Sequence, residues 1–348
     1  MKRFLTGFSL AALVVMLAAC SSEPAAGPET AAPPPQQQGP VREITNVSGD
    51  LYRARNNNHF SAVLVTPEGI IVADPIDRDF SAWLKGELAT RFPNNPVKYV
   101  LYSHSDFDHA SGGEVFADTA QFVGHEQMKE ALAPPTGNRP LPPNAASLDA
   151  NSNGQIERAE ATGGFQNNFN LYDANKDGTL SGAEIARGPV SDVYPPTRTY
   201  TGRTSITLGG KTVELVQPGT QHSANMSMIH FPAESAVFVV DFLSLKRLPF
   251  QTMNGYNFDA WMKQIQFVED FGARTIIGGH GDIGTPADVA QVRQYLTELR
   301  DKVRAGMQAG QSLEQMKTSI TMEPFSHWAS YDDWLPMNIE GMYNMLRS

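Results

Sequence analysis

A layered α/β domain is the architecture this sequence predicts, and three observations predict it. Short apolar runs alternate with helix-period segments before residue 134, the same alternation resumes after residue 196, and a proline-bracketed stretch of different composition separates the two. The chain has 348 residues, 41% of them hydrophobic, which is ample material for one large core or two ordinary ones. With 37 acidic against 27 basic side chains the net charge is −10. Lys and Arg are nowhere concentrated, which argues against nucleic acid as a partner, because phosphate binding needs clustered cations. The single cysteine, Cys20, excludes a disulfide framework and any zinc site built on several thiolates. Metal chemistry here would fall to His, Asp and Glu.

In chain order, residues 1–19 read as an export signal: Lys2 and Arg3 precede an apolar run over 4–17 that ends in Leu17-Ala18-Ala19-Cys20. The run is too short to span a bilayer. Its end resembles a bacterial lipoprotein signal, in which cleavage leaves Cys20 as the lipidated N-terminus; a plain secretory signal or membrane anchor is the alternative. Residues 20–40 hold Ala, Pro, Gln, Glu and Gly with no large side chain before Val41, so they cannot bury enough surface to fold and read as a tether. The expected location is exported and lipid-anchored, in the periplasm or at the outer membrane. The lipid would be the only membrane contact.

The first half of the domain is expected over 41–133. Apolar runs at 63–65 and 69–73 flank the turn Thr66-Pro67-Glu68-Gly69 and predict a strand pair. Apolar residues at 80, 83, 84, 88 and 92 have a helical period, and 97–102 is again a strand-like run. The stretch 134–196, bracketed by Pro134-Pro135, Pro142-Pro143, Pro189 and Pro195-Pro196 and rich in Asn, Asp and Gly, reads as an insertion. The second half, 197–348, predicts strands at 205–208, 213–216, 226–231, 236–240 and 275–277, helices at 258–271 and 286–307, and further C-terminal helices.

Candidate metal ligands gather at the ends of these strands. Directly after the run 97–102 comes His104-Ser105-Asp106-Phe107-Asp108-His109, four candidate donors in six residues. A core strand has no use for them. A loop that shares a cation's charge among nitrogens and oxygens does, although a solvated acidic loop with two surface histidines would read the same way in isolation. Three later residues sit in similar places: His222 in a Gly-containing turn, Asp241 at the end of an apolar run, and His280 in Gly278-Gly279-His280-Gly281. His125 follows a short strand-like run and His59 lies near a strand start, and both read as structural or surface residues.

In this order the residues resemble the metallo-β-lactamase superfamily, whose signature His-x-His-x-Asp-His is matched by His104, Asp108 and His109, and whose later ligands are matched by His222, Asp241 and His280. The resemblance implies a four-layer αβ/βα sandwich with two metals at the edge of its sheets. One position departs, since Asp106 stands where the signature has its second His. The implied first site is His104, Asp106 and His222; the second is Asp108, His109 and His280; Asp241 bridges them. The resemblance implies two transition-metal ions, zinc foremost, while a carboxylate for an imidazole hardens the first site and makes iron or manganese the alternatives. A single metal, or none, remains open at this point.

The proline-bracketed stretch carries a second motif twice. Asp149, Asn151, Asn153, Gln155 and Glu160 stand at positions 1, 3, 5, 7 and 12 of a twelve-residue pattern with Gly154 at position 6. Asp173, Asn175, Asp177, Thr179 and Glu184 repeat it with Gly178. Both resemble the calcium loop of an EF-hand. The interval 161–172 is too short for two helices of ordinary length, and one helix with Phe165, Phe169 and Tyr172 on a face is expected to serve both loops. A small EF-hand-like insertion that calcium clamps in place over the active site is therefore expected.

Together these readings point to a metallo-β-lactamase-fold hydrolase in which metal-bound hydroxide attacks an activated carbonyl, as in a β-lactam, lactone or thioester, with Asp108 orienting the nucleophile. The partner is a small-molecule substrate. The competing class is a non-catalytic, calcium-dependent surface binding protein on a degenerate fold.

Overall fold

The computed structural model describes residues 39–347. The signal, its Cys20 and nearly all of the tether lie outside the described residues. The strands, in chain order, are β1 (Arg42–Ser48), β2 (Leu51–Asn56), β3 (His59–Thr66), β4 (Gly69–Ala73), β5 (Val97–Leu101), β6 (Gln121–His125), β7 (Gln155–Glu157), β8 (Thr179–Ser181), β9 (Arg198–Tyr200), β10 (Arg203–Leu208), β11 (Lys211–Val216), β12 (Met228–Phe231), β13 (Ala236–Val239) and β14 (Thr275–Gly278). Seven of them form one sheet in the order β1-β2-β3-β4-β5-β6-β9, and five form a second in the order β10-β11-β12-β13-β14. β4, β5, β6 and β9 run parallel, as do β13 and β14, while the remaining neighbours are antiparallel.

The two-residue period of the strands decides the layering. On β3 and β4, Ala62, Leu64, Ile71 and Ala73 turn inward to meet Leu215, Ile229, Phe238 and Ile277 of the other sheet. The alternate residues Val63 and Val72, with Val100 of β5, pack outward against Phe80, Leu84 and Leu88 of the helix Arg78–Arg91. On the second sheet the same alternation sends Val237, Val239 and Ile276 outward onto Trp261, Ile265, Val292 and Leu296 of the helices Phe258–Asp270 and Pro286–Gln308. Central strands covered on both faces must be apolar throughout, and β4, Gly-Ile-Ile-Val-Ala, is buried at every residue. The result is helix, sheet, sheet, helix, the sandwich expected from the sequence.

Between 134 and 196 a smaller apolar cluster forms around Ala145, Ile156, Ala161, Phe169 and Leu180. Here β7 and β8 pair antiparallel with Ile156 opposite Leu180, so position 8 of one acidic loop faces position 8 of the other. The single helix expected over 161–172 is instead two short ones, Gly163–Asn167 and Phe169–Tyr172, broken at Asn168. The cause is local. Gly163-Gly164 raises the entropy cost of a helix, and Asn167-Asn168 side chains compete for its backbone. The expected face survives the break, with the Phe165 and Tyr172 rings 5.3 Å apart.

Candidate metal centre

The candidate ligands project from the carboxyl ends of parallel strands, where open α/β sheets leave a crevice that no side chain of the next layer fills. β4 ends into Asp74, β5 into the loop bearing His104, Asp106, Asp108 and His109, β13 into Asp241, and β14 into His280. His222 arrives from the connection between β11 and β12. Three of these residues take left-handed backbone, with φ of 60° at Asp74, 74° at His222 and 61° at Asp241. Side chains with a Cβ are strained there, and that strain is overcome by what packs around them.

The packing is specific. Trp261 Nε1–H donates to the Phe242 carbonyl at 2.7 Å, tying the helix Phe258–Asp270 to the residue after Asp241. Gln264 of that helix accepts the Gln221 N–H at 2.9 Å and so holds the turn before His222. Asn225 accepts the Ser105 N–H at 2.9 Å and donates to Ser105 Oγ at 3.0 Å, joining that turn to the His104 loop. At Gly112, φ is 72° and an added Cβ would lie 2.2 Å from the Arg78 nitrogen, so only glycine lets the loop after His109 close on the helix beside it.

The donors converge in two groups joined by one carboxylate. Asp241 Oδ2 lies 3.0 Å from His104 Nε2 and 3.1 Å from His222 Nε2. Its Oδ1 lies 3.1 Å from His280 Nε2 and 3.5 Å from His109 Nε2. Asp106 Oδ2 completes the first group, 3.2 Å from His222 Nε2 and 3.6 Å from His104 Nε2. Asp108 stands further from its expected partner, 3.8 Å from His109 Nε2, and pairs instead with His59 Nε2 at 3.2 Å. His59, read from sequence as structural or surface, therefore flanks the second group, its ring 4.6 Å from that of His280. His125 packs edge-on against Tyr200 and joins neither group.

Hydrogen bonds on the far side of the rings show which nitrogens carry protons. Ser103 Oγ donates to Asp74 Oδ2 at 2.6 Å, so toward His104 Nδ1, 2.9 Å away, it accepts. His104 Nε2 then points inward, where a proton or a cation can occupy it. His280 Nδ1–H donates to the Asn58 carbonyl at 2.9 Å, with the same consequence for its Nε2. His109 Nδ1 is 3.5 Å from Asp74 Oδ2 and has no closer partner. Inward nitrogens face each other at 3.0 Å, His109 against His280, and at 3.3 Å, His222 against His104. Imidazole nitrogens this close must share a proton or a cation between them, and with the Asp106 and Asp241 oxygens around them the donor set fits metal ions.

Electrostatics agree. Burial disfavours a charged His104, but the Asp106 and Asp241 carboxylates outweigh it and raise its pKa to about 10. Burial likewise opposes ionisation of Asp241, yet His109, His104 and His222 hold its pKa well below the usual carboxylate range. The centre is a buried anionic pocket that attracts positive charge.

A family model described as the metallo-beta-lactamase superfamily matches residues 72–280, well over half of the chain. The chain belongs to the metallo-beta-lactamase superfamily. Members are typically hydrolases that bind two metal ions, and the two donor groups fit that habit. Among solved structures, a metallo-beta-lactamase from Pontibacter korlensis is similar at a TM-score of 0.50 and 15% identity, covering 74% of this chain and 99% of that one. The stereoselective inverting sec-alkylsulfatase Pisa1 from Pseudomonas sp. is similar at a TM-score of 0.58 and 14% identity, covering 87% of this chain and 50% of that one. The 2,4-dinitroanisole O-demethylase subunit alpha of Nocardioides sp. (strain JS1661) is 24% identical over 176 residues, half of this chain, which spans 38% of that relative's length.

The two acidic loops repeat each other bond for bond. Asp149 accepts the Asn153 and Gly154 N–H groups at 3.1 and 2.8 Å, and Asp173 accepts those of Asp177 and Gly178 at 3.2 and 3.0 Å. Glu160 and Glu184 each accept the amide of the second loop residue at 3.0 Å. The glycines at position 6 have φ of 83° and 85°. Glu157, at position 9, folds into the first loop and accepts from Asn153 Nδ2 at 2.6 Å, a donor that the sequence pattern alone did not single out.

Proposed function

We propose that this chain is an exported, lipid-anchored, metal-dependent hydrolase acting on an activated carbonyl, a β-lactam, lactone or thioester, with a calcium-binding insertion at 134–196. The observation that carries it is Asp241, whose two oxygens each face a pair of inward imidazole nitrogens. Cations held by these donors supply hydroxide near neutral pH and a Lewis acid for the group under attack.

The chain's own residues do the rest. The relay from Asp74 through Ser103 to His104, and the Asn58 carbonyl on His280, fix ring orientation. Asp108 stays ionised although burial opposes it, because the His59 hydrogen bond and the His109 ring hold its pKa down. At 34% side-chain exposure it fronts the cleft, placed to accept a proton from an attacking water. The calcium reading is supported by the matching bonds of the two loops and their shared β-ribbon. With Glu157 counted at position 9, each loop offers three carboxylates at its ligand positions, few enough to suit the weak sites usual outside the cytoplasm.

The similar proteins named above act, by their names, on an aryl ether and on secondary alkyl sulfates, so the substrate panel should hold those beside the carbonyl compounds. The deciding experiment measures metal content of the purified chain and its turnover of the panel. Two transition-metal ions and turnover of a carbonyl substrate that Asp108→Asn lowers by about two orders of magnitude are expected. A metal-free protein that turns over no member of the panel overturns the reading in favour of the non-catalytic calcium-dependent binder, and hydrolysis unchanged by Asp108→Asn overturns the role given to Asp108.

A further inference from the structure

We propose that the bridge between the two acidic loops, through Asn168 and Leu171, is the wall of the cleft that selects the apolar body of the substrate, and that calcium in the second loop sets where this wall stands. This rests on the calcium and hydrolase readings above and deepens both.

A cleft of about 520 Å³ opens beside His59 and Asp108. Ile76 and Phe107 line it from the sandwich, and Asn168 and Leu171 line it from the bridge. Its Arg78 is already engaged by Glu114 and Asp192, and within an otherwise polar lining Ile76, Phe107 and Leu171 supply the apolar surface. A group carrying a few carbons next to the scissile bond would find its apolar contacts at Ile76, Phe107 and Leu171.

The bridge has little stability of its own. Its helices have five and four residues, far below the length at which a helix persists alone. What orders it lies at its ends. Asp173, the first residue of the second loop, closes the helix Phe169–Tyr172 by donating its N–H to the Phe169 carbonyl at 2.9 Å, two residues beyond the cleft-lining Leu171. On the other flank the Leu171 carbonyl accepts from Ser191 N–H at 3.0 Å, and the Asp192 carbonyl accepts from Gly112 N–H at 3.1 Å. Ser111 also bridges to Val193. A shift of the second loop therefore reaches, through two backbone hydrogen bonds, the turn that carries Asp108 and His109.

Two measurements on the full chain test this. Hydrogen exchange is read with and without calcium, in wild type and in Glu184→Gln, which removes the bidentate ligand of the second loop. Calcium is expected to slow exchange at Ser191 and Gly112 by about tenfold or more in the wild type and to leave Glu184→Gln unchanged. Protection confined to 173–184 overturns the coupling, and so does equal protection in Glu184→Gln. A calcium titration by calorimetry that gives no heat and no binding identifies the calcium reading itself as the failure. The second measurement compares nitrophenyl esters of short and long acyl chains. Leu171→Ala is expected to raise KM for the long ester by about tenfold, while KM for the short ester and both kcat values move less than about twofold, and Leu171→Met restores the long-chain KM. A ratio of the two KM values unmoved by Leu171→Ala overturns the selecting wall. If neither ester nor any carbonyl member of the panel is turned over, the hydrolase reading is what has failed, and the exchange data still decide the coupling; if only another carbonyl substrate is turned over, the comparison is made on its short- and long-chain forms.

Discussion

Replacing Asp241 by asparagine separates a bridging carboxylate from one that merely lies between two groups. Its charge is divided over two oxygens, Oδ2 at 3.0 and 3.1 Å from His104 and His222, and Oδ1 at 3.1 and 3.5 Å from His280 and His109. At about 3 Å and an effective dielectric near 20, a full negative charge holds one unit of positive charge by about 5 kcal/mol. Half of it, the share each group receives, is about 2.5 kcal/mol, or nearly two decades in affinity. With the side chain only 13% exposed, solvent screens little of this. Asp241→Asn is therefore expected to weaken both metals together by roughly 100-fold, and dialysis against buffered metal followed by elemental analysis should find both lost in step. Asp106→Asn, by contrast, touches only the first group and should release one equivalent while the other stays. A variant of Asp241 that keeps one metal at wild-type affinity refutes the bridging geometry.

Three further expectations follow from single contacts. Asp106→His puts an imidazole where a hard carboxylate stands, and competition dialysis should show the first group shifting toward zinc over manganese by about tenfold or more. Asp74→Asn disturbs the acceptor of both the Ser103 amide at 2.8 Å and its hydroxyl at 2.6 Å, and through them the His104 tautomer; metal affinity should fall about 10- to 100-fold with the fold intact by circular dichroism. Asp288 caps the helix Pro286–Gln308 by accepting the Thr285 N–H and hydroxyl, both at 2.8 Å. Burial opposes its ionisation, but these bonds and Lys246 depress its pKa, so its contribution is full above the unfolded value and is lost as pH falls through the folded one. Thermal denaturation should show Asp288→Asn less stable by about 1 kcal/mol at neutral pH, with the difference vanishing in acid.

The sandwich was legible where strands are covered on both faces. Runs such as Gly69–Ala73 have no polar residue to confuse their period, because the next layer leaves no water to satisfy one. β1 and β2, Arg-Glu-Ile-Thr-Asn-Val-Ser and Leu-Tyr-Arg-Ala-Arg-Asn, escaped notice for the opposite reason. They stand at the edge of the sheet with one side in solvent, and only Ile44, Leu51 and Ala54 of their apolar residues are buried. The donors at strand ends were visible because a carboxylate or imidazole closing an apolar run has no packing role to explain it. Asp74, after Gly69–Ala73, carries that same signal and was passed over. His59 carried none, since its partner Asp108 lies 49 residues away and nothing local marks the pairing.

The departure at position 106 has a physical reading in the charge of each group. In the first, two imidazoles, neutral once they bind an ion, meet Asp106 and one oxygen of Asp241, so a divalent ion there would be nearly neutralised by its ligands. In the second, His109 and His280 meet the other Asp241 oxygen, and Asp108 completes the count from beside His59. Both groups thus offer more than one negative charge to an ion, where an imidazole at 106 would leave the first with only half a carboxylate. Asp106 is also the more open of the two, 46% exposed against 34% for Asp108, so water reaches the first group more readily. A carboxylate in that position keeps a hard, hydrated ion that a softer, neutral ligand would hold less well. Asp106 is therefore expected to change which ion the first group prefers while leaving it donors enough to hold one.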